Sequence, residues 1–165
     1  MTADKFWKIV DRVNAASDGD MDEKCSLLKG ELEKLAANEV ASFQSHLDDA
    51  MDGAYTWRLW AAAYIMNGGC SDDSFMDFRA TLISMGRKTF EEVLANPEAL
   101  AEIGPEDGEE FIYEGYQYAP TEVLEEMAPD EKFPRANKRP AEPSGERWNE
   151  DSVDEVLPRL AEKYS

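Results

Sequence analysis

The stretch YTWRLWAAAYIM, Tyr55 to Met66, decides the fold. Its apolar side chains run around nearly the whole circumference of a helix instead of forming one stripe, which is the pattern of a helix covered on most sides. It is too short for a membrane span, which needs about 20 apolar residues. Segments on both sides also carry helical spacing, and alternating strand patterns are scarce. The chain therefore reads as all-α: a single multi-helix domain over residues 1–165, built around a central apolar helix at about 55–67.

Working outward toward the N-terminus, Val40, Phe43, Leu47, Ala50 and Met51 form the inner face of a helix for which Asn38 is the expected N-cap. Before it, Met21, Cys25, Leu28, Leu32 and Leu35 make a stripe behind Asp20 and Glu23, spaced as a capping box. Phe6, Ile9, Val10 and Val13 define a first helix. Toward the C-terminus, Phe75, Phe78, Leu82 and Ile83 belong to a helix ending near Gly86, and Thr89 with Glu92 suggests a capping box for Phe90, Val93 and Leu94. Asn96-Pro97 and Thr121 suggest two further starts. Prolines at 129, 134, 140 and 143 mark an irregular surface segment over 128–150, and a C-terminal helix is expected over 151–164, interrupted or kinked at Pro158.

The central helix runs into NGGCSDD, where Gly68 and Gly69 suit a left-handed helix end and Ser71, Asp72 and Asp73 suit the start of the next helix. The same turn also gathers chemistry. Asp73 and Asp77 are four apart on one helical face and could hold a divalent cation, although such ions usually take more oxygen ligands. Arg79, seven residues after Asp72, could pair with a buried carboxylate or reach a ligand's carboxylate or phosphate. Cys70 beside a helix start could become a thiolate, but the neighbouring aspartates oppose that, and a small buried hydrophobe is the plainer role. Together with Tyr113, the residues Gly69, Cys70, Ser71, Asp72, Asp73, Asp77 and Arg79 form the expected binding set.

For catalysis the candidates are His46, Asp72, Asp73, Arg79 and Glu110. His46 is the only histidine and follows Glu39 by seven residues, the minimum for acid–base work, yet it also suits an ordinary boundary position. The aromatic run FIYEGYQYA, Phe111 to Ala119, could line a pocket with Glu110 and Glu114 or simply pack into the core. No metal site and no cofactor is called for by these spacings, and two cysteines are too few for a disulfide framework. Whether the protein is an enzyme stays open.

Charge bounds the partners. The net charge is −19, and from Thr89 to Glu131 there are 14 acids and no Lys or Arg. Such a field repels nucleic acid and anionic lipid and attracts basic proteins. It could also serve solubility alone. Lys132, Arg135, Lys138 and Arg139 follow the acidic stretch and could close on it. With no signal-like start, a cytoplasmic protein with free thiols is expected.

The order of FWKIVDRV from Phe6, NEVASFQSHLDDAM from Asn38, the block from Ala54 to Glu91 and NPEALA from Asn96 resembles the bacterial family known as domain of unknown function 4240. The resemblance extends through Glu110–Tyr118 to the closing LPRLAEKY. It implies a free-standing domain in which Gly68, Gly69, Ser71, Asp72, Asp73, Phe75, Phe78 and Arg79 match the family signature, and it brings no activity with it. A signature that fixes this many residue types asks more of the turn than capping does. The leading expectation is a non-enzymatic acidic module that binds a basic protein partner such as a toxin, an effector or a DNA-binding protein. The alternatives are a small-molecule or metal-dependent enzyme at the GGCSDD turn, and a mimic of DNA.

Overall fold

The computed structural model describes residues 1–106 and 108–164. Helix α1 (Ala3–Ser17) starts where the Thr2 hydroxyl accepts from the Lys5 amide, and it buries Phe6, Trp7, Ile9, Val10 and Val13. Asp18, at φ 51°, and Gly19 turn the chain into α2 (Met21–Leu32), capped by Asp20 through the Glu23 amide. Helix α3 (Ala37–Gly53) buries Val40, Phe43, Leu47 and Met51. Its N-cap is Ala36, whose carbonyl accepts from Glu39 and Val40, so Asn38 lies inside the first turn and does not cap it.

Helix α4 (Trp57–Asn67) starts at Thr56, whose hydroxyl accepts from the Leu59 amide. It buries Leu59, three successive alanines and Ile65, with Arg58 on the solvent side. Small alanines let neighbouring elements approach closely, and α5 (Asp72–Ser84) shares the centre, with everything from Phe78 to Ser84 buried. Helix α5 touches α1, α3, α4 and α6 (Arg87–Ala95). Among the described residues there is no strand, and the fold is all-α, as expected.

Two helix starts are capped by side chains distant in sequence. The α6 helix begins at Arg87, not Thr89, because the Asp11 carboxylate on α1 accepts from the Arg87 amide at 2.8 Å. The same oxygen would sit 2.7 Å from a Cβ on Gly86, whose φ is 99°, so only glycine fits there. Asn96 and Pro97 then open a short 3-10 turn, as their spacing suggests, leading to α7 (Leu100–Ile103). Glu98 on that turn is buried, and its carboxylate accepts from the Arg159 and Leu160 amides of α9 (Pro158–Tyr164) at 3.2 and 2.8 Å.

Helix α8 (Ala119–Met127) grows out of the 3-10 turn Tyr116–Tyr118 and packs on α2 and α3. Thr121 is therefore inside the helix, and its hydroxyl donates to Gln44 Oε1 instead of capping. The expected 151–164 helix is two pieces, a 3-10 run Glu150–Glu155 and α9. Proline lacks an amide hydrogen and clashes with a preceding turn, so of the two expected outcomes the helix is interrupted, not kinked, and Pro158 starts α9. Between α8 and that run the chain is irregular and mostly exposed, pinned by Trp57 N donating to Ser144 O and Ser144 N donating to Tyr55 O.

Among the described residues two buried side-chain polar atoms lack a hydrogen-bond partner, Nε of Arg135 on the irregular segment and, in the core, the hydroxyl of fully buried Tyr116. Burial pushes the Tyr116 pKa up, with Cys25 and Asp11 adding to the effect. An unsatisfied buried hydroxyl costs about 1–3 kcal/mol. Tyr116→Phe is accordingly expected to raise stability by about 1 kcal/mol in urea unfolding, and a loss of 1 kcal/mol or more would mean that the hydroxyl is satisfied.

Candidate functional site

The turn after α4 is built by backbone conformation. Gly68, at φ 64° and ψ 33°, ends α4, and Gly69, at φ 128°, redirects the chain with open space where a Cβ would stand. Both glycines are thus needed for their positive φ and not for room. Ser71 caps α5 by accepting from the Ser74 amide at 3.1 Å, and Asp72 and Asp73 occupy its first turn. The Trp60 indole donates to the Cys70 carbonyl at 2.9 Å, and the Tyr55 hydroxyl donates to Asp72 Oδ1 at 3.0 Å. Each end of the turn is tied back to α4 or its entry.

Arg79, only 8% exposed, is held without a carboxylate partner. Its Nη1 donates to the Met51 carbonyl at 2.8 Å and its Nε to the Phe75 carbonyl at 3.3 Å. The guanidinium carbon lies 4.5 Å from the Tyr55 ring centre and 4.8 Å from that of Phe75. Burial lowers its pKa, and Asp72, Tyr55 and Asp52 partly offset this from a distance. Among the described residues no ion pair to Arg79 forms, and Nη2 has no hydrogen-bond partner. The structural ion pair expected for Arg79 is replaced by carbonyls and aromatic faces.

Arg79 borders a cleft of about 150 Å³ lined by α3, α5, the start of α8 and the irregular segment. Met51, Leu47 and Met76 supply an apolar wall, and Asp48, Asp52, Arg135 and Arg139 supply charge. Arg135 Nη2 donates to Asp52 Oδ1 at 2.7 Å; its Nε is 3.5 Å from Asp48 Oδ2, off the line of a hydrogen bond, and has no partner. Asn137 adds a bond to Asp49 at 3.0 Å. Burial raises the Asp48 pKa, against Gln44 and Arg135, which lower it. So Arg135, of the four bases that follow the acidic stretch, closes on α3.

The remaining expected site residues divide among separate surroundings. His46 stacks beside Phe6, with Nε2 3.0 Å from the Met1 carbonyl oxygen. Asp77 accepts from Gln117 Nε2 at 2.6 Å, and burial raises its pKa. Asp73 is exposed. Tyr113 donates its hydroxyl to Asp22 and its amide to Thr81 Oγ1. Glu110 and Gly69 border a groove with Gly108 and Tyr164. Cys70 borders another with Trp57, Trp60, Tyr64 and Trp148, and burial, then Asp72 and Asp77, push its thiol up to about 12, which keeps it protonated and poorly nucleophilic. Among the described residues no group of three or more His, Cys, Asp or Glu could hold a metal ion.

Sequence reasoning did not foresee Asp48, Asp52, Met76 and Gln117 as cleft residues, whereas Tyr118, one of the aromatics read as possible pocket lining, does border the cleft. The one available signal was the return of basic residues after the base-free stretch, which brings Arg135 and Arg139 to the cleft.

The fold and this cleft define an all-α, strongly acidic protein with a buried arginine on the helix that follows the GGCSDD turn. The chain belongs to the family described as "Protein of unknown function (DUF4240)", whose model matches residues 1–126. That match contains the turn and Arg79 and ends within α8, so the closing LPRLAEKY lies beyond it. No curated protein and no solved structure matches the chain. Among the described residues no helix is long and apolar enough to cross a membrane.

Proposed function

We propose that this chain is a non-enzymatic interaction protein that presents an acidic surface to a basic protein partner. The observation that carries this reading is the state of the carboxylates between Thr89 and Glu131. Glu91, Glu102 and Glu122 pair with Arg87, Arg159 and Lys29, and Glu98 caps α9. Glu109, Glu110, Glu114, Glu125, Glu126 and Glu131 are exposed and form no ion pair among the described residues. Of the bases that follow the stretch, Arg135 is spent on Asp48 and Asp52, and Lys132, which shares a groove with Glu125 and Glu131, makes no ion pair among the described residues. An unquenched field of one sign raises encounter rates with a partner of the opposite sign.

The enzymatic reading has less support, because His46, Asp77, Glu110 and the Asp72–Tyr55–Arg79 group do not converge on one pocket. A cytoplasmic, bacterial setting belongs to the same proposal, in keeping with two free thiols at Cys25 and Cys70. Capture from a native lysate on the tagged chain tests it. A basic protein retained at about 50 mM salt is expected to be released by about 0.5 M, where the Debye length falls well below 10 Å. Retention unaffected by salt would contradict the proposal.

A further inference from the structure

We propose that the cleft between α3, α5 and the irregular segment is a binding site for a small monocarboxylate, gripped by Arg79 and Arg139. This goes beyond the acidic-surface reading and does not depend on it. Three guanidiniums and two carboxylates line the cleft. Arg135 is committed to Asp48 and Asp52, so both carboxylates already have a cation. Arg79 and Arg139 have no ion-pair partner among the described residues. They are nonetheless close enough that, after burial, Arg139 is among the influences that lower the Arg79 pKa.

A buried cation is normally paired, because its desolvation is costly. Here Arg79 is 8% exposed and borders the cleft, two of its nitrogens are fixed by the Met51 and Phe75 carbonyls, and Nη2 makes no hydrogen bond among the described residues. The guanidinium carbon lies over the adjoining Tyr55 and Phe75 rings, which with the two carbonyl bonds orient the donor before any ligand arrives. A single excess positive charge matches one negative charge on the ligand, and a dianion would also face Asp48 and Asp52. Leu47, Met51 and Met76 offer an apolar wall for the rest of the molecule. A cavity of about 150 Å³ holds a ligand of about six non-hydrogen atoms, the size of benzene.

The test is an amide NMR titration of the whole chain with sodium butyrate, sodium acetate and inorganic phosphate, each at ionic strength matched with sodium chloride. Saturable shifts at Met51, Met76, Arg79 and Thr121, larger affinity for butyrate than for acetate, and binding weakened about tenfold or more by Arg139→Gln are expected. Arg139 is exposed, so this variant should keep its fold. Arg79→Lys, which retains the charge and loses the fork, should weaken binding as well. Shifts no greater than those of chloride, binding indifferent to Arg139→Gln, or a preference for phosphate would each overturn the proposal.

Discussion

Phe75→Ala is expected to lower stability by about 3–5 kcal/mol, and the midpoint of thermal unfolding by on the order of 10 °C. Phe75 is fully buried, and its ring lies 5.1 Å from that of Trp60 at an interplanar angle of 9°, with Tyr55 and Phe78 on further sides. Truncation removes the contacts among these rings and leaves a cavity that rigid helices α4 and α5 cannot collapse. It also takes away one of the two aromatic faces that hold the Arg79 guanidinium. Stability by urea unfolding together with the Arg79 side-chain resonance would check both parts. A loss below about 1 kcal/mol would mean that the ring is not the packing centre described here.

Glu98→Ala is the second large effect, about 2–3 kcal/mol. Pro158 occupies the first position of α9 and has no amide hydrogen, so the next two amides, Arg159 and Leu160, are the ones that need acceptors. Glu98 supplies one carboxylate oxygen to each. Alanine leaves both donors unsatisfied, the Leu160 amide in a buried position, and uncouples the C-terminal helix from the 3-10 turn after α6. Glu98→Gln keeps the shape and one acceptor and is expected to cost clearly less. Hydrogen exchange at Ala161 and Leu160 reports the change locally. Equal costs for alanine and glutamine would show that the side chain acts by packing alone.

These two residues illustrate what could be read from sequence. Local signals were sufficient for the all-α class, for the inward faces of α1, α3 and α5, and for caps made by adjacent residues at Asp20, Ser71 and Asn96. Gly68 ending the helix before NGGCSDD was equally local. The failures at Thr89 and Thr121 share one cause. A good capping residue marks where a helix can begin, but Asp11 reaching across from α1 and the turn at Tyr116–Tyr118 decide where it does begin. Nothing in the spacing of Glu98 points to α9, sixty-odd positions away in the chain.

The candidate site was legible in part for the same reason. Arg79 stood out because a charged residue between Phe78 and Leu82 must be buried, and it is. Its partners were not legible, since they are backbone carbonyls and ring faces that any sequence could offer. Likewise, the basic residues after Glu131 were visible, but their target was not: Arg135 reaches Asp52, 83 positions back, past the whole acidic stretch.

The most direct measurement compares the parent chain with a variant in which Glu109, Glu110, Glu114, Glu125, Glu126 and Glu131 are all glutamine. These side chains are exposed, so the fold should persist and self-repulsion should fall. With the captured partner purified, binding of both chains would be followed across a salt series. The acidic-surface reading predicts slower association, a markedly weaker complex and a flatter salt dependence for the variant. Equal affinity and equal salt dependence for the two chains would contradict it.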